Sequence, residues 1–104
     1  MIVEHRTYTL YPGKVPEFFK VYLPDALELQ RKVLGNLLGY FTVEAGTLNQ
    51  FVHLWGYESF EDRLRRRALL MAEPLWQDYL VRAMPLIQLQ ESRILLPTAF
   101  SPIK

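Results

Sequence analysis

From Ile2 to Tyr11 apolar and polar side chains alternate loosely and are rich in β-branched and aromatic types. This predicts a strand, ended by the turn signal Pro12-Gly13. From Val15 the period changes. Val15, Phe18, Phe19, Tyr22, Leu23, Ala26, Leu29, Gln30 and Val33 recur at spacings of three and four, the stripe of an amphipathic helix of about five turns. Pro16 suits its first turn, whereas Pro24 removes a backbone donor and predicts a kink or a break. Gly35-Asn36 stops the helix. Leu37–Ala45 reads as a second strand, with Tyr40, Thr42 and Glu44 on one side and Gly39, Phe41 and Val43 on the other. A short loop, Gly46–Leu48, leads into a third strand ending at Tyr57, so the two should form an antiparallel hairpin. That third strand carries Phe51, His53, Trp55 and Tyr57 on one face and Val52 and Leu54 on the other. The first of these faces is a wall of rings around one imidazole, suited to a ligand pocket or a subunit interface.

Ser59 with Asp62 matches a capping box and opens a helix whose apolar stripe is Phe60, Leu64, Ala68 and Met71. Glu73-Pro74 interrupts it, and a further short helix turns Trp76, Tyr79, Leu80 and Ala83 inward. Pro85 ends that helix, Leu86–Leu96 is a last strand, and the tail Pro97–Lys104 is expected to reach over a neighbouring surface. The order predicts one α+β domain over residues 1–104, a ferredoxin-like βαββαβ unit with a four-stranded antiparallel sheet and its helices on one face. Strands one and three should be central and mutually parallel, with strand four beside strand one and strand two beside strand three.

Neither face of strands two and three is polar enough to meet water. Strands apolar on both sides need cover on both sides, and the helices supply only one. A second copy is the economical cover, which predicts a homodimer and leaves a higher homo-oligomer open.

Charge narrows the partners. Twelve basic and eleven acidic residues give a net charge near +1, with no basic face for nucleic acid. No apolar run is long enough for a membrane span, and the strand pattern of Met1–His5, without a basic region and apolar run, leads us to expect no secretory signal. Cysteine is absent, which excludes disulfides and thiol chemistry and suits a cytoplasmic location.

Chemistry concentrates on two strands. Glu4, Arg6 and Tyr8 share one face of the first, where charged groups must be paired if buried. Arg6 would anchor an anion or oxyanion, Tyr8 would donate a proton, and Glu4 would orient them. The alternative is a purely structural salt-bridge network, with Arg6 held by Glu4, Glu44 or Glu91. His53 is the natural general base near neutral pH, or else a satisfied core histidine. Tyr40, Trp55, Tyr57 and Trp76 could stack a flat ligand, or simply fill a core. His5 and His53 with neighbouring carboxylates make a weak metal set, so no metal and no cofactor are expected. Arg63, Arg65, Arg66 and Arg67 are interspersed with acids and read as a solvated mixed-charge helix rather than a phosphate site. No phosphate loop or nucleophile elbow occurs.

Several strings carry a resemblance: Arg6-Thr7-Tyr8-Thr9-Leu10, Pro12-Gly13-Lys14, Leu38-Gly39-Tyr40-Phe41-Thr42, Gly46-Thr47-Leu48-Asn49-Gln50, Val52-His53-Leu54-Trp55 and Gln90-Glu91-Ser92-Arg93-Ile94-Leu95. Together they resemble the NIPSNAP family over nearly the whole chain, with Pro24 as the departure. The resemblance implies a ferredoxin-like chain that dimerises as an α/β barrel, within a superfamily of cofactor-independent monooxygenases, isomerases and haem-handling proteins. It implies no settled activity. Two functions stay open: binding or transforming a small flat organic molecule, monooxygenase-like, or a non-catalytic dimeric interaction module whose aromatic face is only dimer core. A cavity of roughly 300 Å³ or more beside these side chains would favour the first.

Overall fold

The computed structural model describes residues 1–104. Its elements are β1 (Ile2–Leu10), α1 (Val15–Tyr22), α2 (Ala26–Leu34), β2 (Asn36–Thr42), β3 (Gln50–Tyr57), α3 (Phe60–Met71), α4 (Pro74–Ala83) and β4 (Ile87–Leu95), with a 3₁₀ turn at Met84–Leu86. The sheet order is β2-β3-β1-β4, the ferredoxin-like α+β arrangement that the periodicities predict. β1 and β3 are antiparallel rather than parallel, pairing Glu4 with Trp55, Arg6 with His53 and Tyr8 with Phe51. The reason is topological. The helical crossover delivers β2 parallel to β1 with a gap between them, and the hairpin then turns β3 back into that gap.

Pro24 breaks the long helical stripe outright into α1 and α2. A proline at that position has no amide to offer the carbonyl of Lys20. The stripe continues across the break, because Phe18, Tyr22, Ala26 and Gln30 are all buried, while Leu23 beside the break is left exposed. Gly35 closes α2 at φ 93°, a backbone that L side chains resist. β2 ends at Thr42, so the hairpin connection is longer than expected. Asn49, itself at φ 61°, pins that connection. Its carbonyl accepts from Leu10 N and its side-chain oxygen accepts from Gly13 N. The Asn49-Gln50 motif is therefore structural, and Gln50 adds a 2.8 Å bond to Thr9.

The helices lie on the sheet face that carries Phe51, His53, Trp55 and Tyr57, all at most 3% exposed within one chain. The aromatic wall is thus the core of the protomer itself. It is not the core of a dimer. The other face is half open, with Phe41 and Leu89 exposed and Val52 and Leu54 partly so. The tail curls back over it, bringing Ser101 and Ile103 beside Val3 and Leu54 of its own sheet.

α3 reverses its expected orientation. Phe60, Leu64 and Ala68 face outward and Met71 sits half exposed at the edge of a cleft, while Arg63 and Arg67 turn toward Glu4 and Leu70 is the buried apolar residue. Ser59 caps the helix by accepting from the amide of Asp62, as its motif predicts. The reversal follows from magnitudes. Exposing a Leu or Phe forgoes about 1.5–3 kcal/mol, whereas a buried carboxylate with too few cations is worse by several. No helix is long and apolar enough to cross a membrane.

Candidate functional site

Glu4 is the most deeply committed charge in the molecule. Its side chain is fully buried, and Oε2 accepts from Ser92 Oγ at 2.6 Å, Arg63 Nη2 at 2.7 Å and Arg6 Nη1 at 3.1 Å. Arg67 stands 3.9 Å from Oε1. Burial alone would raise the carboxyl pKa. The bonds from Arg63 and Ser92, with the charges of Arg6 and Arg67, outweigh it and hold the group near a pKa of about 2. Arg6 is held by Glu4 and not by Glu44 or Glu91. Glu44 lies past the end of β2, and Glu91 pairs with Thr7, a residue apart in parity from Arg6 on β1.

Arg6 also reaches Tyr8. Its Nη2 and Nε donate to the phenol oxygen at 2.7 and 3.3 Å. A phenol oxygen has two lone pairs, so both are engaged, and the hydroxyl proton is what Tyr8 has left to give. Tyr8 and Arg6 together form the floor of a cleft of about 220 Å³. Gln30 of α2, Arg67 and Leu70 of α3, and Trp76 and Leu80 of α4 make its walls, with Gln90 of β4 at the rim. The cleft narrows inward to a void of about 20 Å³ between Tyr22, Tyr40, His53 and Tyr79. The volume is below the roughly 300 Å³ that marks the lower end of drug-sized sites. It suits one substituted ring.

His53 borders that inner end and is 1% exposed. Its ring lies 4.7 Å from that of Tyr40, in a near-stacked pair. Trp55 donates its indole N–H to His53 Nδ1 at 2.7 Å, and Nε2 is buried without a partner. With Nδ1 an acceptor, the neutral imidazole carries its proton on Nε2. Burial first, then the charge of Arg6, push its pKa down to about 3. Its only lone pair is already spent on Trp55, so the ring offers the void a donor rather than a base.

The other expected residues fall into three groups. Trp76 lines the cleft and Tyr40 its inner end. Trp55 is wholly buried and touches the cleft only through His53. Tyr57 lies elsewhere, bordering a surface hollow near Gly35 and Asp62, and burial raises its hydroxyl to about 12. Gln30, Arg67 and Gln90 line the cleft although none was expected as a site residue. Gln30 stood in the helical stripe as its single polar member, a legible signal. Arg67 belonged to a run read as solvated, and Arg63 and Arg67 leave that reading by turning inward.

His5 and His53 do not converge. His5 pairs with Leu54 and Arg93 on the open face, and no cluster of three His, Asp or Glu side chains could hold a metal ion. Haem does not fit His53 either, because Tyr40 and Trp55 enclose the ring on the inside of the protomer.

The NIPSNAP family model matches residues 3–102. The chain belongs to the NIPSNAP family. A NipSnap homologue from Dictyostelium discoideum is 36% identical over 94 residues, which span 90% of this chain and 41% of that protein. This NIPSNAP chain thus matches well under half the length of such relatives. A NIPSNAP family protein from Agrobacterium tumefaciens, solved as a crystal structure, superposes with a TM-score of 0.96 at 44% identity, covering 99% of this chain and 98% of its own. An antibiotic biosynthesis monooxygenase-like protein from Nitrosomonas europaea is 11% identical with a TM-score of 0.66, covering 96% of this chain and all of its own. At that identity the likeness is one of fold.

Proposed function

We propose that this NIPSNAP chain binds, and by polarising its oxygen transforms, a small flat organic molecule in the cleft between sheet and helices, acting as a homodimer. The observation that carries the reading is Tyr8. Two donors from Arg6 fill its lone pairs, and its hydroxyl is left to donate at the floor of the cleft. A carbonyl or oxyanion placed there would meet a fixed dipole backed by a buried positive charge. Trp76 and Leu80 supply the flat apolar walls. Oxygenation without a cofactor in such a cleft would take dioxygen as the oxidant. The substrate itself would supply the four electrons and two protons, leaving one oxygen atom in the product and the other as water. The Tyr8 hydroxyl would steady the oxyanion of that substrate.

The test is a panel of small planar compounds followed by thermal shift and by the indole N–H signal of Trp76. Bound compounds raise the melting temperature by mass action. Tyr8→Phe is expected to keep the fold and weaken binding by about tenfold, the worth of one hydrogen bond to a charged or polarised group. A panel that leaves both readouts unmoved, or a Tyr8→Phe protein that binds as wild type does, removes the proposal.

The dimer is supported by the half-open sheet face, where Phe41 is 56% and Leu89 51% exposed beside Val52 and Leu54. Phe41→Glu places a charge on that face at the edge strand β2 and should halve the mass measured by light scattering. An unchanged dimer would locate the interface elsewhere, and a monomeric wild type would end the idea.

A further inference from the structure

We infer that the molecule this cleft accepts is an anion, a single planar ring bearing a carboxylate, with its charge seated on Arg67 and on the free N–H groups of Arg6. The inference rests on the cleft being a small-molecule site and adds the charge of what enters it.

Charge balance argues for it first. Arg6, Arg63 and Arg67 surround one carboxylate, that of Glu4, so the cluster holds three positive charges against one negative. Arg63 and Ser92 already occupy Oε2 together with Arg6. Arg67 stays at 3.9 Å, beyond hydrogen-bond distance, and its side chain is only 32% exposed. A guanidinium half withdrawn from water without a bonded partner is one that a ligand can satisfy. Neither Asp nor Glu lines the cleft, and the one carboxylate oxygen near Arg67, Glu4 Oε1, stays 3.9 Å away and unbonded.

The donor census points the same way. Tyr8 has its hydroxyl proton to give. Gln30 Oε1 accepts from Tyr22, which leaves the Gln30 amide nitrogen to donate. At the inner end the buried Nε2 of His53 lacks any partner. In the outer cleft Arg6, Tyr8, Arg67 and the Gln30 amide nitrogen are donors, with the amide oxygen of Gln90, whose nitrogen points to Met84, as an acceptor among them. The Tyr22, Tyr40 and Tyr79 hydroxyls at the inner end can both give and take. An outer cleft in which donors outnumber acceptors favours a ligand rich in oxygen lone pairs. The apolar walls, Leu70, Trp76, Leu80 and Met84, fix the rest of it as flat and unsubstituted by polar groups. No lining side chain is a free base, so such a ligand has to arrive already ionised, as a carboxylate does at neutral pH.

Benzoate and benzamide provide the test, because they share shape and differ in charge. Titrations of the full chain are followed by the Trp76 indole N–H. Benzoate should bind about tenfold tighter than benzamide, and raising salt from about 20 to about 200 mM should erode the difference. Arg67→Gln should abolish the preference, costing benzoate about tenfold and benzamide far less, and Arg67→Lys should restore part of it. Arg6 and Arg63 keep their direct bonds to Glu4 in both variants, and thermal melts of each check that the fold is retained. Equal binding of the two probes overturns the inference and leaves the small-molecule reading standing. A benzoate preference that survives Arg67→Gln also overturns it. A Trp76 signal unmoved by either probe at millimolar concentration removes the inference and the cleft together.

Discussion

Replacing Glu4 with Gln is expected to destabilise the protein by about 3–5 kcal/mol, the range seen when one partner of a buried ion pair is removed. The substitution is nearly isosteric, so packing is not the cause. It leaves Arg6, Arg63 and Arg67 facing one another without the only carboxylate among them. It also weakens the bond from Ser92, at 2.6 Å the shortest to that oxygen. Repulsion should be relieved by rotating α3 outward, which would open the cleft wall at Leu70 and Arg67. Arg65→Gln is the control. Arg65 pairs with Asp62 on the surface, its side chain 62% exposed, and such pairs contribute about 0–1 kcal/mol. Urea melts of the two variants should therefore separate widely. If Glu4→Gln melts within about 1 kcal/mol of wild type, the buried network is not what orients α3.

Acid should unfold this protein earlier than its composition suggests. Burial and the charge of Arg6 hold the folded pKa of His53 down to about 3, against the ordinary 6.5. Below pH 6.5 the unfolded chain takes up a proton that the folded one refuses, so stability falls as pH falls through that window. The slope is about 1.4 kcal/mol per pH unit for one proton. Glu4 adds to it lower down. Its folded pKa of about 2 lies below the ordinary 4.5, so its contribution is present above pH 4.5 and lost on the way to 2. The two windows overlap between about 4.5 and 3, where the slope should double. A domain with a total stability of about 5–15 kcal/mol has little left at that point. His53→Gln removes the first window and keeps an acceptor for Trp55. Its stability between pH 6.5 and 4.5 should be flatter than that of wild type by about one proton's slope. His5 is present in both proteins, so the difference reports His53. Parallel curves would mean that the ring takes a proton without unfolding the core.

Both expectations depend on features at different depths of the sequence. The order of elements was legible because periodicity is local. A spacing of two or of three and four declares a strand or a helix wherever it occurs. Pro24, Gly35 and Ser59 mark their boundaries by backbone chemistry that needs no partner. The pairing of Glu4, Arg6 and Tyr8 was equally legible, since alternate residues of a strand share a face. Their convergence on one bonded cluster follows from that parity.

The orientation of α3 was not legible. Its more apolar stripe, Phe60, Leu64, Ala68 and Met71, is the one that a moment argument buries, and the fold leaves it outside. The deciding partner, Glu4, is 59 residues away from Arg63 in the chain. Local patterning carries no trace of such a demand. The same distance hides the cleft, whose wall residues Gln30, Arg67, Trp76 and Gln90 come from α2, α3, α4 and β4. His53 shows the limit at the scale of one atom. Its position on an aromatic strand could be read, but the bond from Trp55 to Nδ1 turned a base into a donor.

By itself, the sequence determined the elements, their order, the ferredoxin-like topology and the NIPSNAP family, because these rest on spacing between near neighbours and on turn residues. Only the tertiary structure decided which face of the sheet the helices cover, which face of α3 turns in, and which protons the cleft can donate. Those outcomes depend on how a buried charge is balanced across the whole chain, a long-range electrostatic condition that no short window of residues contains.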